Sequence, residues 1–134
     1  MLFRSVSAMT TIRRLPDGEL EVMQALWGCA VPASRGEIEE HFQKLFHRRP
    51  AMTTLLTHLT RLGEKGFVRI EKEGRQNRYT PLVSQESYLA RQGQHFVQDV
   101  CQGNIGILAA ALSAGGLTQK DLMELHRLLE EGEL

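Results

Sequence analysis

With 134 residues, 42% of them apolar and 24% charged, and no net charge, the chain has the size of one small domain or of a small domain with an appendage. Its longest apolar runs, such as residues 105–112, are too short to cross a bilayer, and its first residues lack the continuous apolar stretch of a signal peptide. The two cysteines, Cys29 and Cys101, lie far apart in sequence, which is typical of a reducing compartment. We therefore expect a cytoplasmic protein without a disulfide framework.

The charge is distributed unevenly along the chain. Residues 1–47 carry five Lys/Arg and six Asp/Glu, residues 48–80 carry eight and three, and residues 81–134 carry three and seven, so the middle segment alone has a net charge of +5. A basic middle segment is typical of a surface that binds a polyanion such as nucleic acid. It is equally typical of a solvated face whose charges are neutralised by salt bridges, and charge alone does not separate the two interpretations.

The first elements are helical. Residues 1–14 show no useful periodicity and are expected to form a flexible N-terminal extension. Asp17 is placed to cap a first helix that ends near Gly28. Ser34-Arg35-Gly36-Glu37 has the pattern of a capping box and predicts the start of a second helix. The apolar stripe of that second helix consists of Ile38, Phe42, Leu45 and Phe46.

A third helix is predicted over about residues 51–65, with Gly66 as its C-terminal cap. Its apolar face consists of Met52, Leu55, Leu56, Leu59 and Leu62. Its outward face carries Thr53, Thr54, Thr57, Thr60 and Arg61. Threonine is a mediocre helix former, so a solvated face would more readily carry Lys, Glu, Gln or Ala. Short hydroxyls and methyls suit close approach to a DNA groove, and we expect this face to read DNA.

Two short strand-like runs around a glycine-containing turn predict a β-hairpin over about residues 67–81, with Arg75 near its tip. Helix, helix, basic helix and hairpin is the element order of a winged helix-turn-helix. The expected fold is therefore mostly α with a small β-hairpin. We expect a winged-helix DNA-binding domain over residues 15–82.

Residues 83–134 are expected to form a helical dimerisation region. Their helices are too few to bury their own apolar stripes, and DNA-binding modules of this size mostly work as dimers. The residues expected to hold two subunits together are Leu122, Leu125 and Leu129. The alternative is that these helices pack back on the first domain.

Four stretches resemble the penicillinase repressor family of winged-helix regulators. They are LPDGELEVMQALWG at 15–28, AMTTLLTHLTRLGEKGFV at 51–68, EGRQNRYTPLVSQESYL at 73–89 and, more weakly, LTQKDLMELHRLLEE at 117–131. The resemblance implies a homodimeric transcriptional repressor that binds an inverted-repeat operator in double-stranded DNA. It also implies that five residues contact DNA: Thr53, Thr54, Thr57, Arg61 and the wing residue Arg75. Leu56 departs from relatives with a long polar side chain there, so the preferred DNA sequence is expected to differ.

The resemblance also bears on how the repressor is released. Relatives are relieved either by proteolysis in the C-terminal region or by metal exchange at a cysteine-rich motif, and this chain matches neither pattern cleanly. Ala110 and Ala111 stand where the antibiotic-responsive relatives are cut, and the paired Cys-x-Cys motif is absent. We expect release to destabilise the dimer by cutting or loosening residues 109–116, where Gly115-Gly116 must interrupt the helices. A regulatory protease would be the partner that cuts this segment.

Other chemistry is disfavoured by the sequence. The five histidines share no i, i+3 or i, i+4 spacing with one another or with a cysteine, so no metal site is expected. The chain has no glycine-rich phosphate loop, nucleophile elbow or carboxylate constellation, and we expect neither a cofactor nor an enzymatic activity. The two functional classes that remain are a DNA-binding repressor and a winged-helix protein-interaction module that never touches DNA.

Overall fold

The computed structural model describes residues 12–132, which form two compact units, 12–92 and 93–132. The expected extension at 1–14 therefore lies mostly outside the described residues. The helices are α1 (Asp17–Trp27), α2 (Arg35–Phe46), α3 (Met52–Glu64), α4 (Gln85–His95), a π-helical turn (Phe96–Val100), α5 (Ile105–Ala114) and α6 (Gln119–Glu130). The strands are β1 (Ala33–Ser34), β2 (Val68–Glu73) and β3 (Gln76–Pro81). Within the described residues, no helix is both long and apolar enough to cross a membrane.

The sequence predicted side-chain caps at the starts of α1 and α2, and the structure contains only the second. The Glu37 N–H donates to Ser34 Oγ at 3.1 Å and the Ser34 N–H donates to Glu37 Oε1 at 2.9 Å, so the predicted capping box of α2 is confirmed. The prediction for α1 was wrong in detail. Pro16 occupies its N-cap position, no side chain caps it, and Asp17 is already helical. Proline suits the start of a helix because its φ is fixed near the helical value.

The core of the first unit lies between α1, α2, α3 and the sheet. Its fully buried helical residues are Val22, Met23, Ala25, Leu26, Ile38, Leu55, Leu59 and Leu62. Leu45 of α2 and Met52 and Leu56 of α3 are exposed, although the predicted stripes placed them inside. The buried stripe of α3 is therefore narrower than its apolar sequence pattern.

The three strands form an antiparallel sheet in the order β1-β3-β2. Glu73 pairs with Gln76 at the end of the hairpin, so Gly74 and Arg75 form the turn. Gly74 has φ +64°, a conformation that glycine adopts without steric cost. The hairpin and the place of Arg75 at its tip are confirmed. Strand β1 was not predicted from the sequence; its two residues lie on the far side of β3, where Ala33 pairs with Tyr79.

Residues beyond the hairpin complete the first unit. The Leu15 N–H donates to Tyr88 Oη at 2.9 Å, and the Trp27 indole N–H donates to the Val83 carbonyl at 2.8 Å. The Tyr88 ring, which is buried, packs against Trp27 and Phe67 with centroids 5.8 and 6.0 Å apart. These contacts place the start of α4 in the same compact unit as the winged helix, so that unit extends past the expected boundary at 82/83.

The second unit contains α5 and α6. The Asn104 side chain accepts from the Ile107 N–H at 3.1 Å at the start of α5, and Thr118 and Asp121 form the capping box of α6. The predicted break between these helices is present, because α5 ends at Ala114 and Gly116 has φ +107°. No residue of α5 or α6 is buried.

Candidate nucleic-acid interface

Helix α3 presents most of its polar side chains to solvent. Leu55, Leu59 and Leu62 fix its inward side, and the remaining turns project away from the core. The exposed residues of this outward face include all four threonines and the arginine that the sequence selected: Thr53, Thr54, Thr57, Thr60 and Arg61. One helical face thus combines short hydroxyl side chains with a cation, a composition suited to a DNA groove.

One of these threonines is already engaged inside the helix. Thr57 Oγ1 donates to the Thr53 carbonyl at 2.8 Å, which is the i to i−4 bond that a helical threonine commonly makes. Its single hydroxyl hydrogen is therefore not directed at a phosphate. The oxygen lone pairs and the methyl group of Thr57 remain for a partner, so its chemistry differs from that expected of a phosphate donor.

Most of the basic residues between 48 and 80 form ion pairs with carboxylates of the same unit. Five of the eight form ion pairs: Arg48 with Glu21, Arg49 with Glu39, Lys65 with Glu19, Arg69 with Glu71, and Arg78 with Glu37 and Glu73. The other three of these eight residues are exposed and have no ion pair within residues 12–132: Arg61, Lys72 and Arg75. Arg61 lies on α3 and the other two on the hairpin. Lys72 was not among the residues predicted to contact DNA, because a count of charges does not show which basic residues form ion pairs.

Two ion pairs tie the interface elements to the rest of the unit. Lys65 Nζ lies 2.5 Å from Glu19 Oε1, with the Glu19 carboxylate only 3% exposed and the Lys65 side chain 22% exposed. Arg78 on β3 lies 3.2 Å from Glu37 of α2. The hydrogen bonds from Ser34, together with Arg78, hold the pKa of Glu37 below its usual value. These contacts fix α3 and the wing against α1 and α2.

A groove of about 310 Å³ runs between α3, the hairpin and the start of α2. Leu56 and Tyr79 form its apolar part, and Arg75, Gln76 and Asn77 line it from the hairpin. The groove therefore lies between Leu56 of α3 and the hairpin, and polar side chains line it from both the hairpin and the start of α2.

The second unit exposes apolar side chains of α5 and α6. Leu122 and Leu125 are half-buried, whereas Leu129 is 60% exposed. The structure thus does not place the three expected dimerisation residues in one equivalent environment. Other exposed apolar residues of this unit were not selected from the sequence: Val100, Ile105, Ile107, Leu117 and Met123. Periodicity predicts which helix faces are apolar but not which of them a neighbouring helix covers.

The potential metal ligands and Cys29 lie in the following environments. Among residues 12–132 there is no group of three His, Cys, Asp or Glu side chains that could hold a metal ion. Burial, and to a lesser extent the nearby Glu37 carboxylate, raise the pKa of the Cys29 thiol. A raised thiol pKa disfavours the thiolate, which is the reactive form of cysteine.

Three helices, a three-stranded sheet with a projecting hairpin, and an outward α3 face define a winged helix-turn-helix DNA-binding protein. The family model described as penicillinase repressor matches residues 15–131. The chain therefore belongs to the penicillinase repressor family, whose members are transcriptional regulators and not enzymes, and it is a DNA-binding repressor.

Individual relatives were found in sequence and in structure. The penicillinase repressor of Bacillus licheniformis is 29% identical over 124 residues, which cover 92% of this chain and 94% of the relative. An uncharacterised 16.5 kDa protein of Latilactobacillus sakei is 33% identical over 112 residues, or 83% of this chain and 75% of the relative.

Two solution structures also match this chain, one of the DNA-binding domain of the repressor BlaI and one of monomeric B. licheniformis BlaI in complex with the blaP half-operator. Both are 32% identical and cover 57% of this chain and 90% of their own, with TM-scores of 0.47 and 0.45.

Proposed function

We propose that this repressor binds an inverted-repeat operator as a homodimer, with α3 in the major groove and the β2–β3 hairpin as the wing. The observation that carries the proposal is the separation of paired from unpaired cations. Five basic side chains between 48 and 80 are paired with carboxylates of the same unit, while Arg61 on α3 and Lys72 and Arg75 on the hairpin are exposed and without an ion pair in the described chain. Arg61 lies on the outward face of α3 with the threonines, and the other two lie on the hairpin.

In this proposal some interface residues contact base edges and others contact the phosphate backbone. Thr53, Thr54 and Thr57 lie on the first two turns of α3, the part of a recognition helix that contacts base edges. Arg61 lies a further turn along, and Arg75 reaches the backbone from the wing. Because phosphate contacts fix register and base contacts carry sequence information, we assign specificity to the threonines and general attraction mainly to Arg75.

Replacing Thr54 by alanine is expected to weaken binding to the operator about fivefold, the loss of one hydrogen bond of ordinary strength, and to leave binding to random DNA nearly unchanged. The measurement is a mobility shift at fixed salt with the protein's own promoter region and with a scrambled duplex of equal length. Equal losses on both duplexes would show that Thr54 touches only the backbone. A wild-type chain that shifts no promoter fragment would instead support the protein-interaction module.

Replacing Arg75 by alanine is expected to lower affinity for all DNA sequences and to make the plot of log affinity against log salt shallower by about one unit, since one phosphate contact is lost. The matched control is Arg69→Ala, which removes a hairpin cation that is already paired with Glu71 at 2.9 Å. The control should change the slope much less. Indistinguishable slopes for wild type and Arg75→Ala would remove the wing from the interface.

We also propose that release from DNA acts through the second unit, by a regulatory protease that cuts within residues 109–116. Support comes from the exposed turn after α5, where Gly115 ends the helix and Gly116 takes a positive φ. Residues 109–114 are helical, so the part of this segment open to a protease without unwinding is the turn. A cut there would separate α6 from the rest of the chain.

A further inference from the structure

The outward side of α3 carries a leucine that the core does not use. Leu56 is 37% exposed and lines the groove beside the hairpin, although it lies on the same helix as the buried Leu55 and Leu59. It stands three residues after Thr53 and four before Thr60, the spacings at which helical side chains are neighbours, so it borders the threonine face on the side of the hairpin. A side chain in this position meets whatever α3 approaches.

Near Leu56, helix α3 offers few side chains that could read a base edge through two hydrogen bonds. The Leu56 side chain has no hydrogen-bonding atoms, and the Thr57 hydroxyl already donates its hydrogen to the Thr53 carbonyl. The sequence of α3, MTTLLTHLTRLGE, contains no Asn or Gln, the side chains that read adenine through two hydrogen bonds. Arg61 is its only side chain of the type that reads guanine in that way.

Only one group on the base edges of the major groove is apolar, the C5-methyl of thymine. We propose that Leu56, together with the methyl of Thr57, reads thymine methyl groups, so that Leu56 determines specificity for thymine at its position in the operator. This inference rests on the proposed function, since it requires α3 to lie in the major groove. A cytosine at the same position lacks the methyl, and a purine presents its polar N7 to the groove, so either base would be disfavoured.

The test uses the full chain and a synthetic duplex of the site that it protects in its own promoter. Each thymine is replaced singly by uracil, which lacks the methyl and keeps every hydrogen-bonding group. For wild type, one or two such replacements per half-site should weaken binding about fourfold, the value of one buried methyl. For Leu56→Ala the same replacements should have little effect, because the methyl has lost its partner.

Leu45→Ala is the matched control, because Leu45 is also a partly exposed leucine of the same unit but lies on α2, outside the groove. It should respond to uracil as wild type does. Thermal melting of both variants checks that each is folded. Uracil effects of equal size in wild type and Leu56→Ala, or no effect at any thymine, would overturn the inference while leaving operator binding intact. Failure of wild type to protect any promoter site would overturn the proposed function itself.

Discussion

Replacing Lys65 by methionine is expected to lower the free energy of unfolding by about 3 kcal/mol. Methionine replaces the unbranched stem of lysine up to Cε and omits only the ammonium group, so packing of the stem changes little. What is lost is the partner of the Glu19 carboxylate, which is 3% exposed and lies 2.5 Å from Lys65 Nζ. A buried carboxylate without its cation keeps the cost of leaving water and loses the attraction that offset it. Urea unfolding followed by circular dichroism measures the change.

Two further variants decide whether the ion pair is the cause. Lys72→Met removes an exposed lysine of β2 that has no ion pair in the described chain, and it should change stability by less than about 0.5 kcal/mol. Adding Glu19→Gln to Lys65→Met should recover most of the loss, since no buried charge then remains. If Lys65→Met and Lys72→Met are equally stable, the pair does not contribute to the fold.

The features that the sequence predicted well are those decided within a few neighbouring residues. Ser34 and Glu37 cap α2 through bonds that span three positions, and Thr118 and Asp121 do the same for α6. The hairpin turn at Gly74 depends on one glycine and its neighbours. Such signals are complete in the local sequence, so no knowledge of the packed structure is needed.

The features that the sequence did not predict depend on residues far apart in the chain. By charge alone, Lys65 belongs to the basic segment expected to bind a polyanion. Its ion-pair partner Glu19 lies 46 positions away, and the sequence does not show that the two meet. A glycine inside a helix costs about 1 kcal/mol relative to alanine, but a Cβ at Gly63 would lie 3.0 Å from Ile70 Cδ1, so glycine leaves room for the Ile70 side chain of β2.

The extent of the buried stripe of α3 could not be predicted for the same reason. A helical wheel places Leu56 near the edge of the apolar arc, and only the position of the hairpin decides whether that edge is covered. It is not covered, which turns a predicted core residue into a candidate for reading DNA.

Introducing a charge at Leu129 is expected to give a monomer that binds the operator about a hundredfold more weakly than wild type. Two linked subunits bind two half-sites with the benefit of a high effective concentration, and a monomer loses it. Leu129→Glu is a cleaner test than a charge at Leu125, because Leu129 is 60% exposed within its own unit whereas Leu125 is half-buried. A charge at Leu125 would also disturb the packing of the second unit.

Sedimentation at micromolar concentration and operator affinity are measured on the same samples. The control is Leu45→Glu, which places the same charge at a leucine of α2 that is 45% exposed and lies outside residues 83–134. This variant should remain a dimer with near wild-type affinity for the operator. An engineered protease site in the turn at Gly115-Gly116 supplies a second route to the same state, since cutting it detaches α6 without altering any leucine.

The two routes together separate dimerisation from release. If both Leu129→Glu and cleavage give monomers with weakened operator binding, the second unit holds the dimer and the turn after α5 is a sufficient point of release. If cleavage leaves the dimer and its affinity intact while Leu129→Glu does not, α6 stays bound after the cut and release must act elsewhere. A wild-type chain that sediments as a monomer at micromolar concentration would contradict the dimer proposal directly, because the exposed apolar residues of α5 and α6 would then have no partner in a second copy.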